Sequence, residues 1–86
     1  MIGLHNLPLA DVRPGPQYHV PRLSTDPYAV RWVEYYREQI RAGRELEPIR
    51  IDARFFIIDG HHRWRAHVLE KQEKIRVVVC PLAMLY

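Results

Sequence analysis

Residues 55–66 read Phe55-Phe56-Ile57-Ile58-Asp59-Gly60-His61-His62-Arg63-Trp64-Arg65-Ala66, or FFIIDGHHRWRA. Four apolar residues run unbroken into an acid, a glycine and a crowd of groups able to carry positive charge. An apolar run of this kind, bounded by a turn signal, reads as a strand buried on both faces, here expected over Phe55 to Ile58 and central in its sheet. Asp59-Gly60 makes the turn. A helix is expected from about His61 to Lys71, with Trp64, Val68 and His67 on its inward side. The first amides of such a helix lack internal partners and carry the positive end of its dipole. A strand that feeds a glycine turn and a helix start is a common frame for a phosphate site. In that frame Gly60 admits an anion close to the backbone. His62 and Arg63 add side-chain donors, Arg63 through its bidentate fork.

Working outward, Glu70 to Lys74 is a polar connection, and Ile75-Arg76-Val77-Val78-Val79 is a further strand. The unit from Phe55 to Val79 is therefore strand–helix–strand, which normally crosses over right-handed to give parallel neighbours. Upstream, Pro48-Ile49-Arg50-Ile51 alternates as a short strand, and Asp52-Ala53-Arg54 turns the chain back. Ser24-Thr25-Asp26-Pro27 is a helix start, with Thr25 or Asp26 as N-cap and Pro27 in the first turn. Ala29, Val33, Tyr36 and Ile40 fall on one face of that helix, with Trp32 beside them. Glu34 with Arg37 and Glu38 with Arg41 stand three apart and can pair, and Gly43 is placed for a left-handed C-terminal cap. Prolines 14, 16, 21 and 27 with Gly15 forbid long regular elements before the helix. Gly3 to Val12 has room for one edge strand, where Pro8 is tolerated. The order is strand, helix, strand, strand, helix, strand. It describes an α+β domain with a mixed sheet of about four strands and two main helices.

The chain has 86 residues, 48% hydrophobic and 27% charged, so a single domain over residues 1–86 is expected rather than disorder. A net charge of +3 suits an anionic partner, but the basic residues are scattered and form no nucleic-acid-binding tail. Cys80 has no second cysteine to pair with, which suits a reducing compartment. No apolar run approaches the roughly 20 residues of a membrane helix, and the N-terminal stretch lacks a charged leader followed by an apolar block. The expectation is a soluble, cytoplasmic protein with no membrane partner.

Gly60-His61-His62-Arg63-Trp64-Arg65-Ala66 resembles the G-x-x-R-W-R-A box of ParB-type partition proteins. Asp59 to Arg63 is also similar to the D-G-H-H-R signature of related free-serine kinases. Gly60 to Arg63 aligns with the G-C-H-R motif of sulfiredoxin, in the same superfamily. The first helix, the PIRI strand and the final IRVVV strand fall in the order this resemblance requires. Gln17 to Arg22 is similar to the proline-rich, arginine-ending segment ahead of the first helix in partition proteins. The resemblance implies a small α+β fold that binds the phosphates of a nucleotide (ATP, ADP or CTP, with or without Mg2+). Gly60, His61, His62 and Arg63 would form the binding turn, with Arg22 closing over it and Asp59 assisting a metal or a reacting hydroxyl. The reactive cysteine of sulfiredoxin is His61 here, which excludes that redox chemistry. The Gly-Glu-Arg-Arg of partition proteins is Gly-His-His-Arg. Partition proteins continue past the last strand into a metal-binding motif and a helix-turn-helix, so a complete CTP-gated DNA clamp is not expected of this chain alone.

Each assignment has a plainer counterpart. Asp59 either caps the helix or serves in catalysis. His61, His62 and His67 lack the i, i+4 pair of a helical zinc site, so no structural metal is expected. Tyr35 and Tyr36 are adjacent and cannot both face inward, and an exposed one is a candidate dimer contact. Cys80 follows three valines and reads as core. Three functions follow: a nucleotide-phosphate-binding domain with or without phosphoryl transfer or hydrolysis, a non-catalytic module associated with DNA or a DNA-binding protein, and a small nuclease.

Overall fold

In the computed structural model residues 3–80 are described. In chain order they form β1 (Gly3–Pro8), a 3-10 turn (Leu9–Asp11), α1 (Arg22–Thr25), α2 (Pro27–Arg41), β2 (Ile49–Ile51), β3 (Ile57–Asp59), α3 (His61–Leu69) and β4 (Lys74–Val79). The four strands make one mixed sheet in the order β1-β4-β2-β3. β4 is antiparallel to β1 and parallel to β2, while β2 is antiparallel to β3.

The sheet corrects two expectations. β4, not the Phe55–Ile58 segment, lies at the centre beside β2, whereas β3 is at the end of the strand order. Local turn chemistry explains the change. Asp52 Oδ1 accepts from the N–H groups of Arg54 (2.8 Å) and Phe56 (3.0 Å), and the Phe55 N–H donates to the Asp52 carbonyl (3.0 Å). This tight turn puts Phe55 at φ +69°, a rare conformation for a bulky residue, and starts the strand only at Ile57. Ile58 is 44% exposed, so the apolar run is not buried on both faces. Likewise β3, α3 and β4 do not make a parallel pair. The parallel partner of β4 is β2, reached through the β2–β3 hairpin and α3.

The outer side of β3 is covered by the proline-rich segment. The Arg13 N–H donates to the Phe55 carbonyl (3.0 Å), and the Ile57 N–H donates to the Arg13 carbonyl (2.8 Å). The Arg13 guanidinium lies 5.4 Å from the centre of the Phe56 ring. An otherwise open sheet edge is thereby closed by the chain itself.

Among the described residues, buried apolar side chains form two clusters. Leu7, Val12, Ile49, Ile51, Ile57, Ile75, Val77 and Val79 pack on the sheet. Their i, i+2 spacing within β2 and β4 places them on one face. Leu23, Ala29, Val33 and Ala66 pack between the helices. Trp64 of α3 packs against both clusters, so it joins the helical layer to the sheet. Cys80, expected in the core, is only half-buried.

α2 begins as its sequence requires. Asp26 is the N-cap, its carboxylate accepting from the Tyr28 N–H (3.0 Å), with Pro27 in the first turn. Gly43 follows the helix at φ +77°. Arg37 pairs with Glu34 (2.9 Å) as expected, but Arg41 reaches Glu70 (3.0 Å), where Arg37 also donates (2.7 Å). These two arginines therefore brace α2 against the end of α3 and hold the Glu70 carboxyl below its usual pKa, Arg37 more than Arg41. Of the adjacent tyrosines, Tyr35 is exposed and Tyr36 is half-buried. Among the described residues, no helix is long and apolar enough to cross a membrane.

Candidate functional site

The junction between β3 and α3 carries the residues singled out by sequence. Gly60 is the residue before α3 and adopts φ +109°, ψ 26°. A Cβ at Gly60 would meet Cγ2 of the fully buried Ile49 at 2.5 Å and its Cβ at 2.8 Å. The glycine is therefore required by the left-handed backbone and by the close packing of the turn on β2. The first helical hydrogen bond runs from the Trp64 N–H to the Gly60 carbonyl (2.9 Å). The amides of His61, His62 and Arg63 precede it and are available to a ligand.

Asp59 does not cap the helix, since α3 has no side-chain cap hydrogen bond. Its carboxylate is 69% exposed and lies 3.5 Å from Arg63 Nη2. The Arg63 side chain, expected as a donor to phosphate, is only 13% exposed and folds back over its own chain. Its Nη1 donates to the carbonyls of Glu47 and Pro48, each at 3.3 Å, and lies 3.7 Å from the Glu47 carboxylate. Arg63 thus ties the start of α3 to the connection entering β2, and its fork is already partly engaged.

The ring of His61 is also engaged. His61 is 9% exposed, its Nε2 accepts the Gly15 N–H (3.1 Å), and its face stacks on Tyr18 with centroids 3.6 Å apart at 4°. Burial pushes its pKa down to about 4, reinforced by His62 and opposed by Asp59, so the ring is neutral at pH 7. Its side chain is thus committed to the Gly15–Tyr18 stretch. His62 is different. Its Nε2 is buried and has no hydrogen-bond partner. Burial lowers the His62 pKa most, and Arg22 is the next largest cause, with Asp26, Arg63 and Asp59 also acting on it. The Arg22 charge is therefore felt at the His62 ring, while its Nε is held by the Asp26 carboxylate (3.0 Å). His67 Nδ1, 2.7 Å from the Arg63 carbonyl, must carry the proton of that bond, because the oxygen can only accept.

The structure brings the α3 amides, His62, Arg63, Asp59 and Arg22 into one neighbourhood. Sequence reading missed Gly15, Tyr18 and Asp26 as parts of it. Its only signal was their membership of the proline-rich segment, whose path depends on contacts far along the chain. A separate recess of about 560 Å³ is lined by residues including Arg44, Glu45, Glu47, His67, Lys74 and Arg76. It shares only the Glu47 rim with the junction, and Arg76 there is already bonded to the Leu46 carbonyl (3.4 Å) and paired with Glu45 (3.4 Å). Among the described residues, no group of three or more His, Cys, Asp or Glu side chains is placed to hold a metal ion.

Residues 2–84 match the family model of the ParB N-terminal domain. A comparison with curated proteins gives no match. Among solved structures, sulfiredoxin from Arabidopsis thaliana is similar, with a TM-score of 0.69, 22% identity, and coverage of 95% of this chain and 91% of that one. A Pnob8-like ParB-N domain gives a TM-score of 0.68 at 11% identity, covering 92% of this chain and 30% of that one. The C-terminally truncated chromosome-partitioning protein ParB from Caulobacter crescentus, complexed with CTP-gamma-S, gives 0.66 at 19% identity, covering 92% and 44%. At these identities the likeness is one of fold, and the chain spans less than half of either partition-protein chain.

Proposed function

Because the chain belongs to the ParB N-terminal domain family, we propose that it is a nucleotide-binding module that holds phosphate at the start of α3. The observation that carries the reading is the convergence of three unpaired helix amides with Arg22 and a buried, unpartnered His62 nitrogen. An anion there meets N–H donors, the positive end of the helix and two arginines. The negative charge also favours the protonated His62 imidazole through its field rather than by contact, since the ring Nε2 is closed to solvent. Gly60 and the backbone of His61 shape the cradle. Arg63 contributes charge from beneath, its fork shared with the Glu47 and Pro48 carbonyls. ATP, ADP and CTP all present the required phosphate chemistry, and magnesium would arrive as the nucleotide's own counter-ion. Calorimetric titration with each, with and without magnesium, is expected to show binding of at least one. Amide resonances of His61 to Arg63 should shift on addition of that nucleotide. No heat and no shift with any of the three would overturn the reading and leave a partner-binding module, associated with DNA or a DNA-binding protein.

Phosphoryl transfer is a second reading, favoured by Asp59. Its carboxylate is mostly exposed beside the proposed phosphate cradle, and its cost as a helix cap is nil because it caps nothing. Asp59→Asn should change stability by no more than about 1 kcal/mol, the scale of an exposed ion pair. If Asp59 assists the reacting hydroxyl, the same substitution depresses turnover without weakening nucleotide binding. Turnover unchanged in Asp59→Asn would remove the residue from catalysis.

A further inference from the structure

We propose that His61 is a positioning residue: its ring fastens the Gly15–Arg22 stretch to α3 and so sets Arg22 beside the phosphate cradle. The inference rests on the phosphate reading for its functional part, but the fastening itself does not. Two contacts of different kinds make the fastening. One is polar, from the Gly15 N–H to His61 Nε2, and the other is the parallel stack of Tyr18 on the same ring. Gly15 also passes so near β3 that a Cβ there would lie 2.8 Å from the Ile57 carbonyl oxygen. The position of the stretch is thus defined from the sheet side by close approach and from the helix side by one imidazole.

The chemistry of the contact fixes the ring's state. A backbone N–H can only donate, so Nε2 must be the acceptor, and the neutral ring carries its proton on Nδ1. Protonating Nε2 replaces an acceptor with a donor facing another donor. Nearby charges come from His62 on the same helix, which opposes protonation, and Asp59 at the end of β3, which favours it. From the proline-rich stretch the ring meets Tyr18 and the Gly15 amide. The residue thereby differs from His62, whose ring nitrogen is buried but unengaged. The adjacent histidines therefore differ: the first holds the chain, and the second keeps an unpartnered ring nitrogen.

The test measures fastening without any ligand and anion binding separately. His61→Phe keeps a flat ring for Tyr18 but removes the acceptor. Protection of the Gly15 amide against hydrogen exchange should fall about 3- to 10-fold, the equivalent of one hydrogen bond. His61→Gln, which restores an acceptor without an aromatic face, should recover part of it. In the unaltered protein the His61 nitrogen shifts should report the Nδ1–H tautomer at pH 7, and the Gly15 amide resonance should move with the ring as it titrates near 4. Binding of inorganic pyrophosphate, followed through the amides of His62 and Arg63, should weaken in His61→Phe and partly return in His61→Gln. Equal Gly15 protection in the unaltered protein and both variants, or a His61 ring that titrates without moving Gly15, would overturn the fastening. Loss of Gly15 protection with unchanged pyrophosphate affinity would overturn the positioning role. Pyrophosphate that fails to bind the unaltered protein would overturn the phosphate reading itself, and is told apart because Gly15 exchange needs no anion.

Discussion

Acidification from pH 7 to pH 4 should lower the melting temperature by on the order of 10–20 °C, most of it before the carboxylates titrate. The cause lies in α3. Burial holds the pKa of His61 down at about 4 and lowers those of His62 and His67 as well. A histidine with a depressed folded-state pKa gives its full stability above the unfolded value near 6.5. As pH falls below 6.5 the unfolded chain takes up protons that the folded one refuses, and the contribution is gone once pH passes the folded value. For His61 the window runs from about 6.5 to about 4 and is worth about 3 kcal/mol. Total stability for a domain of this size is only about 4–13 kcal/mol, so the loss is a large fraction of it. Glu70 and Asp26, held below their usual pKa by arginines, extend the loss to lower pH. Thermal melts at pH 7, 5.5 and 4 in constant ionic strength provide the check. A flat melting temperature across that range would show that these histidines are not buried in the neutral form.

Gly60→Ala should destabilise the fold by about 2–5 kcal/mol, combining left-handed strain with overpacking. The added Cβ has nowhere to go, because Ile49 already occupies its position and is itself fully buried. Gly43→Ala is the control. Gly43 has φ +77° with nothing within 4 Å of the added atom, so only backbone strain of about 1–2 kcal/mol is expected. Denaturant unfolding of both variants separates packing from strain. In an Ile49→Ala background, where the clashing Cγ2 is gone, Gly60→Ala should cost less than it does alone. Equal costs for Gly60→Ala and Gly43→Ala would mean that the turn does not pack on β2 as described.

The elements that sequence reading located are those specified by neighbours along the chain. Asp26-Pro27 starts α2 and Gly43 follows its end, and Gly60 opens α3, each through local backbone chemistry. What it misplaced depends on partners far away. FFII looked central, yet the Asp52 turn consumes its first two residues and leaves the rest at the end of the strand order. The fork of Arg63 read as free for phosphate because nothing nearby in sequence shows that the Glu47 and Pro48 carbonyls lie beside it. Arg41 was matched to Glu38 by spacing alone, and Glu70, just past the end of α3, takes it instead. At the candidate site, the glycine turn and helix start at Gly60-His61 were legible, but the engagement of His61 by Gly15 and Tyr18 was not.

The strand order also governs when the domain can form. β4 lies between β1 and β2, with Gly3 opposite Val79 and Ile51 beside Val79 on the other side. During synthesis β1 and the β2–β3 hairpin emerge first and have no common partner until residues 74–79 leave the ribosome. Before then the apolar faces of Leu7, Ile49 and Ile51 have no central strand to close on. Because the sheet depends on pairing between distant segments, its assembly bears a large loop-closure entropy and is slow relative to helix formation. A nascent chain that has not yet released residues 74–79 would therefore carry β1 and β2 without the strand that pairs with both.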